Sequence, residues 1–199
     1  MYAWGPKISE RTSYTADAEQ GVTLLDVIGG HILEAVTHAL GPFTSVSSTL
    51  AIQYPIAELV DASGIPTGKT VPQTGATQIA FSGTLTNGAV ASFHWRGGVS
   101  VEGKAGSPLL WVIDGEKGSI RVESDNPGGG YIHIYEPDLY LNGEKVELEQ
   151  DGLTNTARAW AEFAKGDAGD FPTLDDAVKV KRLLEAIKTS SRDGRRVDL

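Results

Sequence analysis

The stretch ATQIAFSGTLTNGAVASFHWR, residues 76–96, decides the fold of this chain. Apolar and polar side chains alternate along it, which is typical of strands whose two faces meet different surroundings. The pattern predicts one strand from Ala76 to Leu85 and a second from Ala89 to Arg96. Thr86-Asn87-Gly88 lies between them, and Asn-Gly is a strong signal for a tight antiparallel hairpin. An antiparallel sheet is therefore expected at the centre of the domain.

Two further hairpins are predicted downstream of this one. The segments from Leu109 to Asp114 and from Ser119 to Ser124 form the first of them. The second and weaker hairpin is predicted from Tyr131 to Tyr135 and from Leu139 to Leu148, with Asn142-Gly143 as another tight turn. Because hairpins dominate this region, the sheet is expected to be mostly antiparallel and to need a cover on only one face.

Upstream of the central hairpin, the apolar residues follow the period of a helix. Five of them recur at three- and four-residue steps: Leu25, Ile28, Ile32, Val36 and Leu40. Gly41-Pro42 ends this helix, because proline cannot continue the hydrogen-bond ladder. A strand is predicted from Phe43 to Ile52, a loop from Pro55 to Pro72, and a polar, turn-prone segment over residues 1–20.

Two predicted helices close the chain. One runs from Thr154 to Lys165 and the other from Leu174 to Ser190, where Thr173 is suited to cap the helix start. A helix, a long antiparallel sheet and two closing helices define an α+β fold, with an open, mostly antiparallel sheet and helices on one face. The other face of the sheet is then available for a partner.

Length and composition fit one globular domain with a sizeable core. The 199 residues carry a formal net charge of -9, which repels nucleic acids. No apolar run approaches the roughly 20 residues that cross a bilayer, and the start of the chain lacks a secretory signal. The absence of cysteine excludes disulfides and thiolate chemistry. We therefore expect a cytoplasmic protein that binds neither nucleic acid nor membrane.

Motifs for nucleotide chemistry are absent from the sequence. The glycine groups at 29–30, 97–98 and 128–130 do not follow the G-x-G-x-x-G arrangement of dinucleotide-binding folds. No P-loop and no G-x-S-x-G nucleophile elbow is present either. The chain by itself is not expected to hold a nicotinamide cofactor.

The first helix carries the strongest candidates for chemistry. His31, Glu34 and His38 lie at i, i+3 and i+7 on one stripe, and Asp26 lies in the turn before them. These residue types suit a metal site. However, three side chains spread over two helical turns cannot easily converge on one ion. We therefore favour a polar strip that lines a cleft or faces solvent. His31 follows Gly29-Gly30, where small residues admit a ligand. It is either a proton-exchanging group or a histidine that hydrogen-bonds a loop carbonyl.

A second candidate cluster, Trp95-Arg96-Gly97-Gly98, ends the strongest predicted strand. Trp95 is suited to stack on a sugar, and Arg96 is suited to bind a hydroxyl or a carboxylate. Alternatively, Trp95 belongs to the core and Arg96 pairs with a surface carboxylate. Asp175 and Asp176 point about 100° apart on their helix, so we assign them to the helix start rather than to acid–base chemistry.

Several segments together resemble the second domain of the Gfo/Idh/MocA oxidoreductases. In residues 21–41, a Gly-rich stretch leads into a helix with a histidine, an acidic residue three positions later and a Leu-Gly end. Similar segments follow in the same order: Ser82-Gly83-Thr84-Leu85, Trp95-Arg96-Gly97-Gly98, residues 111–120, and residues 171–187. The pattern is most similar to the fungal branch that includes the galactose-metabolism repressor, in which this fold serves regulation as well as catalysis.

The resemblance implies a dihydrodipicolinate-reductase-like C-terminal domain of the glucose-fructose oxidoreductase type, spanning residues 1–199. It implies that NAD or NADP is bound mainly by a preceding Rossmann domain, absent from this chain, and that a sugar or polyol lies between the halves. It also implies a homo-oligomer formed through the open sheet face. By position, His31 matches the family's active-site histidine and Glu34 the acidic residue that follows it. Val27 occupies the usual place of an aspartate, and Asp26 lies one position earlier.

Three functions remain open on the sequence alone. The first is the substrate-binding and assembly domain of an NAD(P)-dependent oxidoreductase, in which His31 transfers a proton or donates a hydrogen bond. The second is a non-catalytic regulator that binds proteins. The third is a cofactor-free isomerase or lyase in which His31 and Glu34 form an acid–base pair. Because the Glu-Lys-Pro motif with the family's lysine is missing, we expect no catalysis by this chain alone, and we expect Met1 to mark the edge of a larger protein.

Overall fold

A computed structural model describes residues 3–98, 108–126, 128–148 and 152–199. In chain order its strands are β1 (Lys7–Ser9), β2 (Phe43–Ala51), β3 (Ile56–Val60), β4 (Pro66–Pro72), β5 (Gln78–Leu85), β6 (Val90–Arg96), β7 (Leu109–Gly115), β8 (Gly118–Ser124), β9 (Asp138–Leu141), β10 (Glu144–Val146) and β11 (Val197–Asp198). The α-helices are α1 (Gly30–Leu40), α2 (Asn155–Phe163) and α3 (Leu174–Asp193). Short 3-10 helices span Glu10–Ala16, Ala18–Gln20 and Gly166–Ala168, and a π-helical turn spans Leu25–Gly29.

The chain divides into two compact units. The first comprises Met1–Val99 and Leu174–Leu199, and the second comprises Ser100–Thr173. The sequence analysis expects a single domain that binds substrate and mediates assembly. Whether the two units act as one functional domain stays a prediction. The predicted fold class, α+β with an open and mostly antiparallel sheet, is confirmed.

The first unit is built on a four-stranded sheet in the order β11-β2-β5-β6, in which all neighbours are antiparallel. The predicted central hairpin is confirmed as β5 and β6. Gly88 adopts a φ of 87° at its turn, a conformation that glycine tolerates better than other residues. The Asn87 side chain accepts a hydrogen bond from the Ala89 N–H at 3.0 Å and so stabilises the turn.

Aromatic rings line the core face of this sheet. Phe81 and Phe93 are cross-strand partners, and their rings stack with centroids 4.4 Å apart. Trp95 meets the Phe81 ring edge-on at 5.3 Å, a geometry that aromatic pairs favour. A side chain at Gly83 would come within 2.6 Å of the Phe43 ring, so the glycine makes room for that ring. Burial therefore alternates along β5 and β6, as the alternation of apolar and polar residues in the sequence predicts.

The opposite face of the same sheet, which we call the outward face, is mostly polar. Its exposed polar members lie on β2, β5 and β6: Ser47, Thr49, Ser82, Ser92, His94 and Arg96. Its exposed apolar members are Ala51, Ala80 and Val90. Hydroxyl groups and small side chains dominate this surface.

Helix α3 packs on β2 and against α1. Leu184 and Ile187 of α3 and Leu33 of α1 are buried. Strand β11 pairs only with Ser45 and Val46, so the backbone N–H groups further along this edge of β2 need other partners. The hydroxyls of Ser190 and Ser191 accept these bonds from Ser48 and Leu50, at 3.0 and 2.8 Å. The end of α3 therefore closes an edge of the sheet.

The expectation of a loop between Pro55 and Pro72 is wrong. Strands β3 and β4 form an antiparallel hairpin there, and β1 adds to it in parallel. Pro66 begins β4 and Pro72 ends it, where a missing backbone N–H does little harm. Asp61 organises the turn, because its side chain accepts hydrogen bonds from the N–H groups of Ser63 and Ile65. Ile8, Ala57 and Leu59 form a small buried core at this sheet. Their burial stabilises the strands, although the segment contains the glycines and prolines that suggested a loop.

The second unit contains the antiparallel sheet β10-β9-β8-β7. The predicted hairpin of β7 and β8 is confirmed, but the prediction of a strand at Tyr131–Tyr135 is wrong. The Tyr131 carbonyl accepts hydrogen bonds from the N–H groups of Ile134 and Tyr135, so this segment is a turn bonded within itself. The hairpin forms instead from β9 and β10, around Asn142-Gly143 with φ values of 53° and 87°.

The two predicted closing helices are confirmed as α2 and α3. Thr154 caps α2, because its side chain accepts a hydrogen bond from the Ala157 N–H at 3.2 Å. Within the described ranges, no helix combines the length and the apolar character that a membrane span requires.

We expect Ser190→Ala to lower the free energy of unfolding by about 1–3 kcal/mol, because it orphans the half-buried Ser48 N–H and the Arg195 carbonyl. Ser190 is 1% exposed, so water cannot replace the hydroxyl without rearrangement. Urea denaturation measures the change. Ser63→Ala, in the exposed turn between β3 and β4, is the control and should stay within about 0.5 kcal/mol of the parent. Equal stability of the two variants would contradict the edge-closing role of α3.

Candidate functional site

The site is organised by the π-helical turn Leu25–Gly29, which runs directly into α1. Such wide turns are rare and are frequently found at functional sites. The turn begins with a bond from the Val27 N–H to the Thr23 carbonyl at 3.0 Å. His31 is the second residue of α1, so the turn decides where its side chain starts.

Asp26, in this turn, has a side chain that is only 6% exposed. The carboxylate accepts a hydrogen bond from the Thr23 hydroxyl at 2.6 Å and another from the Lys188 ammonium at 2.7 Å. Burial alone would raise the pKa of Asp26, but the bonds from Lys188 and Thr23 and the charges of Lys188 and Lys181 outweigh it and hold the pKa below its ordinary value. Asp26 is therefore ionised near neutral pH, and its position is that of an anchor and not of a proton donor.

Three residues of α3 complete a closed ring of alternating charges with Asp26. Lys188 lies 2.7 Å from Asp26 and 3.2 Å from Glu185. Lys181 lies 3.3 Å from Glu185 and 3.6 Å from Asp26. Burial lowers the pKa of Lys188, but its bonds to Asp26 and Glu185 outweigh this and raise the pKa above the ordinary value. We call these four side chains the charge ring.

Trp95 lies against the turn at Gly29. A side chain added at Gly29 would come within 2.9 Å of the Trp95 ring and 3.2 Å of Leu25. Gly29 is therefore required for close packing of the ring on the helix start, and not for an unusual backbone angle, since its φ is -59°. Trp95 also belongs to the aromatic row of the core face, which corresponds to the core alternative of the sequence analysis.

Arg96 does not share this site with Trp95. Adjacent residues of a strand point to opposite faces, so Arg96 lies on the outward face, across from Gln78. The Gly97-Gly98 pair is not an open clamp, because a side chain at Gly97 would collide with the Trp4 carbonyl. The Trp4 indole in turn donates a hydrogen bond to the Val22 carbonyl at 2.9 Å. The structure thus separates the two residues that the sequence suggested as a joint sugar site, and their substrate-binding role stays a prediction.

His31 is exposed in the first turn of α1, and Glu34 follows it one turn later in a half-buried position. His38 is also exposed, a further turn along. Within the described part of the chain, no group of three or more histidine, aspartate or glutamate side chains is placed to hold a metal ion. The exposed part of the site therefore offers an imidazole and a carboxylate, whereas the Asp26 side chain is buried.

The residues around Gly29-Gly30 do not fit a dinucleotide. A phosphate cradle needs open backbone N–H groups at a helix start. Here the space at Gly29 is filled by the Trp95 ring, and a side chain at Gly30 would touch Leu184 at 4.0 Å. The backbone enters α1 already in helical conformation, with Gly30 at φ -56°. No step through a nicotinamide can be assigned to the residues described here.

Lys188, Lys181 and Thr23 are site residues that the sequence analysis missed. Lys181, Glu185 and Lys188 stand at i, i+4 and i+7, which is a visible stripe of alternating charge on one helix. That stripe is equally typical of a solvated helix surface. Its pairing with a carboxylate 162 residues away is visible only in the folded chain.

Comparison with known proteins identifies relatives of this chain. A family model described as "Gal80p, C-terminal domain" matches residues 1–124. The dehydrogenase aclE of Aspergillus oryzae is 26% identical over 200 residues, which cover 91% of this chain and 50% of the dehydrogenase. The galactose/lactose metabolism regulatory protein GAL80 of Kluyveromyces lactis is 31% identical over 134 residues, 66% of this chain and 28% of the regulator. The chain spans half or less of the length of these relatives.

Solved structures show the same fold. A super-repressor mutant of Gal80p from Saccharomyces cerevisiae superposes with a TM-score of 0.85 at 24% identity, covering 99% of this chain and 55% of that one. A levoglucosan dehydrogenase in complex with NADH and L-sorbose gives a TM-score of 0.66 at 19% identity, covering 86% and 49%. The fold therefore occurs in both a transcriptional regulator and a sugar dehydrogenase.

We expect Gly29→Ala and Gly30→Ala to have opposite effects, although the two glycines are adjacent. Gly29→Ala forces the Trp95 ring away from the helix start and should cost about 1–3 kcal/mol of unfolding free energy. Gly30→Ala meets only an ordinary contact in a helical conformation and should stabilise the chain by about 0.5–1 kcal/mol. Urea denaturation of both variants measures the difference. If Gly29→Ala were as stable as Gly30→Ala, close packing of Trp95 on the turn would be refuted.

Proposed function

Because the chain belongs to the family of Gal80p C-terminal domains, we propose that it is the substrate-side and assembly half of a two-domain protein of the NAD(P)-dependent oxidoreductase type. The proposed substrate is a sugar or a polyol. The match to half the length of a dehydrogenase supports a partner half that binds the nucleotide. The residues of this chain would bind and orient the substrate and exchange its proton.

The observation that carries this proposal is the exposed imidazole of His31 above a rigidly held helix start. A neutral imidazole accepts a proton from an alcohol that is being oxidised, and an imidazolium returns it in the reverse direction. Glu34, one turn along the same stripe, is suited to accept a hydrogen bond from a neighbouring hydroxyl. Because Asp26 is ionised and bonded to Lys188, proton exchange is assigned to His31 and not to Asp26.

A regulatory function is the second candidate. It is supported by the GAL80 relative and by the retention of Asp26 in an ion pair, which removes one acid–base group from the site. In this case a sugar at His31 would bind without turnover and would change how the chain assembles. The enzymatic candidate expects the assembly state to be the same with and without sugar, so light scattering with and without ligand separates the two.

The proposed partner in assembly is a second copy of the chain, bound through the outward face. The central row of this face, Ser47, Ser82 and Ser92, lies in register across three strands. Small hydroxyl side chains allow two sheets to approach closely and to exchange hydrogen bonds. Such an interface is more polar than the core of an obligate dimer, so we propose an assembly that depends on shape and hydrogen bonding.

Substrate binding is tested with an isotope-labelled sample of the 199-residue chain. We expect L-sorbose to shift the His31 ring resonance in a saturable way, and we expect NADH and NADPH to leave the spectrum unchanged. Calorimetry measures binding in the variants, because His31→Asn lacks the ring resonance. His31→Asn should abolish sugar binding, whereas the control His38→Asn, two turns along the same helix, should retain it. Tight nucleotide binding by this chain, or the absence of a sugar response at His31 for L-sorbose and a set of common aldoses and polyols, would overturn the proposal.

Assembly is tested by measuring the solution mass. We expect a dimer or a larger oligomer, and we expect Ser82→Arg to dissociate it, because an arginine at the centre of the outward face prevents close approach of a second sheet. Ser63→Arg adds the same charge in the exposed turn between β3 and β4 and is the matched control. A monomeric parent chain, or an unchanged mass for Ser82→Arg, would refute this interface.

A further inference from the structure

The charge ring connects two parts of the first unit that are remote in sequence. Asp26 belongs to the π-helical turn, and Lys181, Glu185 and Lys188 belong to α3. The contacts close on themselves, since each cation touches both anions. The member that ties the helix to the turn most directly is Lys188, at 2.7 Å from Asp26 and 33% exposed. Lys181 reaches the same oxygen at 3.6 Å and is 61% exposed, so it contributes less.

The π-helical turn needs such an anchor. A π turn has one more residue per hydrogen-bonded loop than an α-helix and is less stable than regular helix, so it persists only where its surroundings hold it. In this chain two contacts hold it: the Trp95 ring against Gly29, and the bond between the Asp26 carboxylate and Lys188. Replacing the π turn with regular helix would rotate every residue that follows it by about 100°. His31 lies two residues after the turn and would leave its present position.

We infer that Lys188 is a positioning residue for His31, acting through Asp26 and the π-helical turn. The inference rests on the proposed function only in naming His31 as the group that meets the ligand. The link from α3 to the turn is independent of that function, because it rests on the contacts of Lys188 and Lys181 with Asp26. Asp26 then serves the site without touching a ligand, because it anchors the helix start to Lys188.

Three variants of α3 test this link. Lys188→Met removes the charge and keeps the length of the side chain, and Lys188→Arg keeps the charge. Lys179→Met is the matched control, because Lys179 lies on the same helix but pairs only at the surface, with Asp176 at 2.8 Å. The readouts are the ring resonance of His31 and the amide hydrogen exchange of residues 26–31, compared with the amides of β5.

We expect Lys188→Met to move the His31 ring resonance and to speed exchange in residues 26–31 by roughly ten-fold relative to β5. Lys188→Arg should restore both, and Lys179→Met should change neither. An unchanged turn in Lys188→Met would overturn the inference. Exchange that rises equally in the turn and in β5 would also overturn it, because Lys188 would then contribute only to global stability.

If Lys188→Met does not fold, Lys181→Met replaces it, since it removes the weaker arm of the ring. A smaller change at the same residues supports the link, and no change there contradicts it. Failure of the proposed function is recognised separately. A parent chain that binds no sugar refutes the substrate role of His31, while the exchange data still decide whether Lys188 holds the turn.

Discussion

The buried carboxylate of Asp26 is the constraint on which the arrangement of the first unit depends. A charge withdrawn from water is tolerated only with a cation and full hydrogen bonding, and Lys188 and Thr23 supply both. The pKa of Asp26 is lowered from 3.8, so its stabilising contribution is present above that value and is lost as the pH falls through the lower, folded value. The pKa of Lys188 is raised from 10.5, so its contribution is present below that value and is lost as the pH rises through the higher, folded value. The pair therefore holds over the whole neutral range.

The remaining features of the site follow from this anchor. With the turn held by Asp26 and packed on Trp95 at Gly29, α1 begins at Gly30 and presents His31 to solvent. The small residues before the helix are used for packing and leave no cradle for a phosphate. No step that needs a nucleotide is therefore assigned to the residues around Gly29-Gly30, and the contribution proposed for this chain is recognition and proton exchange.

Local patterns predicted those parts of the fold that depend on local forces. The strands β5 and β6 and the turn at Asn87-Gly88 were predictable, because alternation and turn chemistry act within a few residues. The loop expected at 55–72 is a hairpin, because burial of Ala57 and Leu59 outweighs the turn-forming glycines and prolines around them. The strand expected at Tyr131–Tyr135 is a turn, since its backbone groups bond to each other and not to a neighbouring strand.

The candidate site was predictable in its residues and not in its partners. His31 and Asp26 stand out in the sequence, but the sequence gives no sign that a lysine of the closing helix neutralises Asp26. Alternation also determines that Trp95 and Arg96 lie on opposite faces, and this was foreseeable from the strand prediction itself. Long-range ion pairs depend on how helices pack, and no local pattern encodes that.

A double-mutant cycle with Asp26→Asn and Lys188→Met tests the central claim most directly. The unfolding free energies of the parent, the two single variants and the double variant give the coupling between the two side chains. A buried, hydrogen-bonded pair predicts a coupling of about 1–3 kcal/mol at pH 7. A coupling below about 0.5 kcal/mol, the range of an exposed surface pair, would contradict the account.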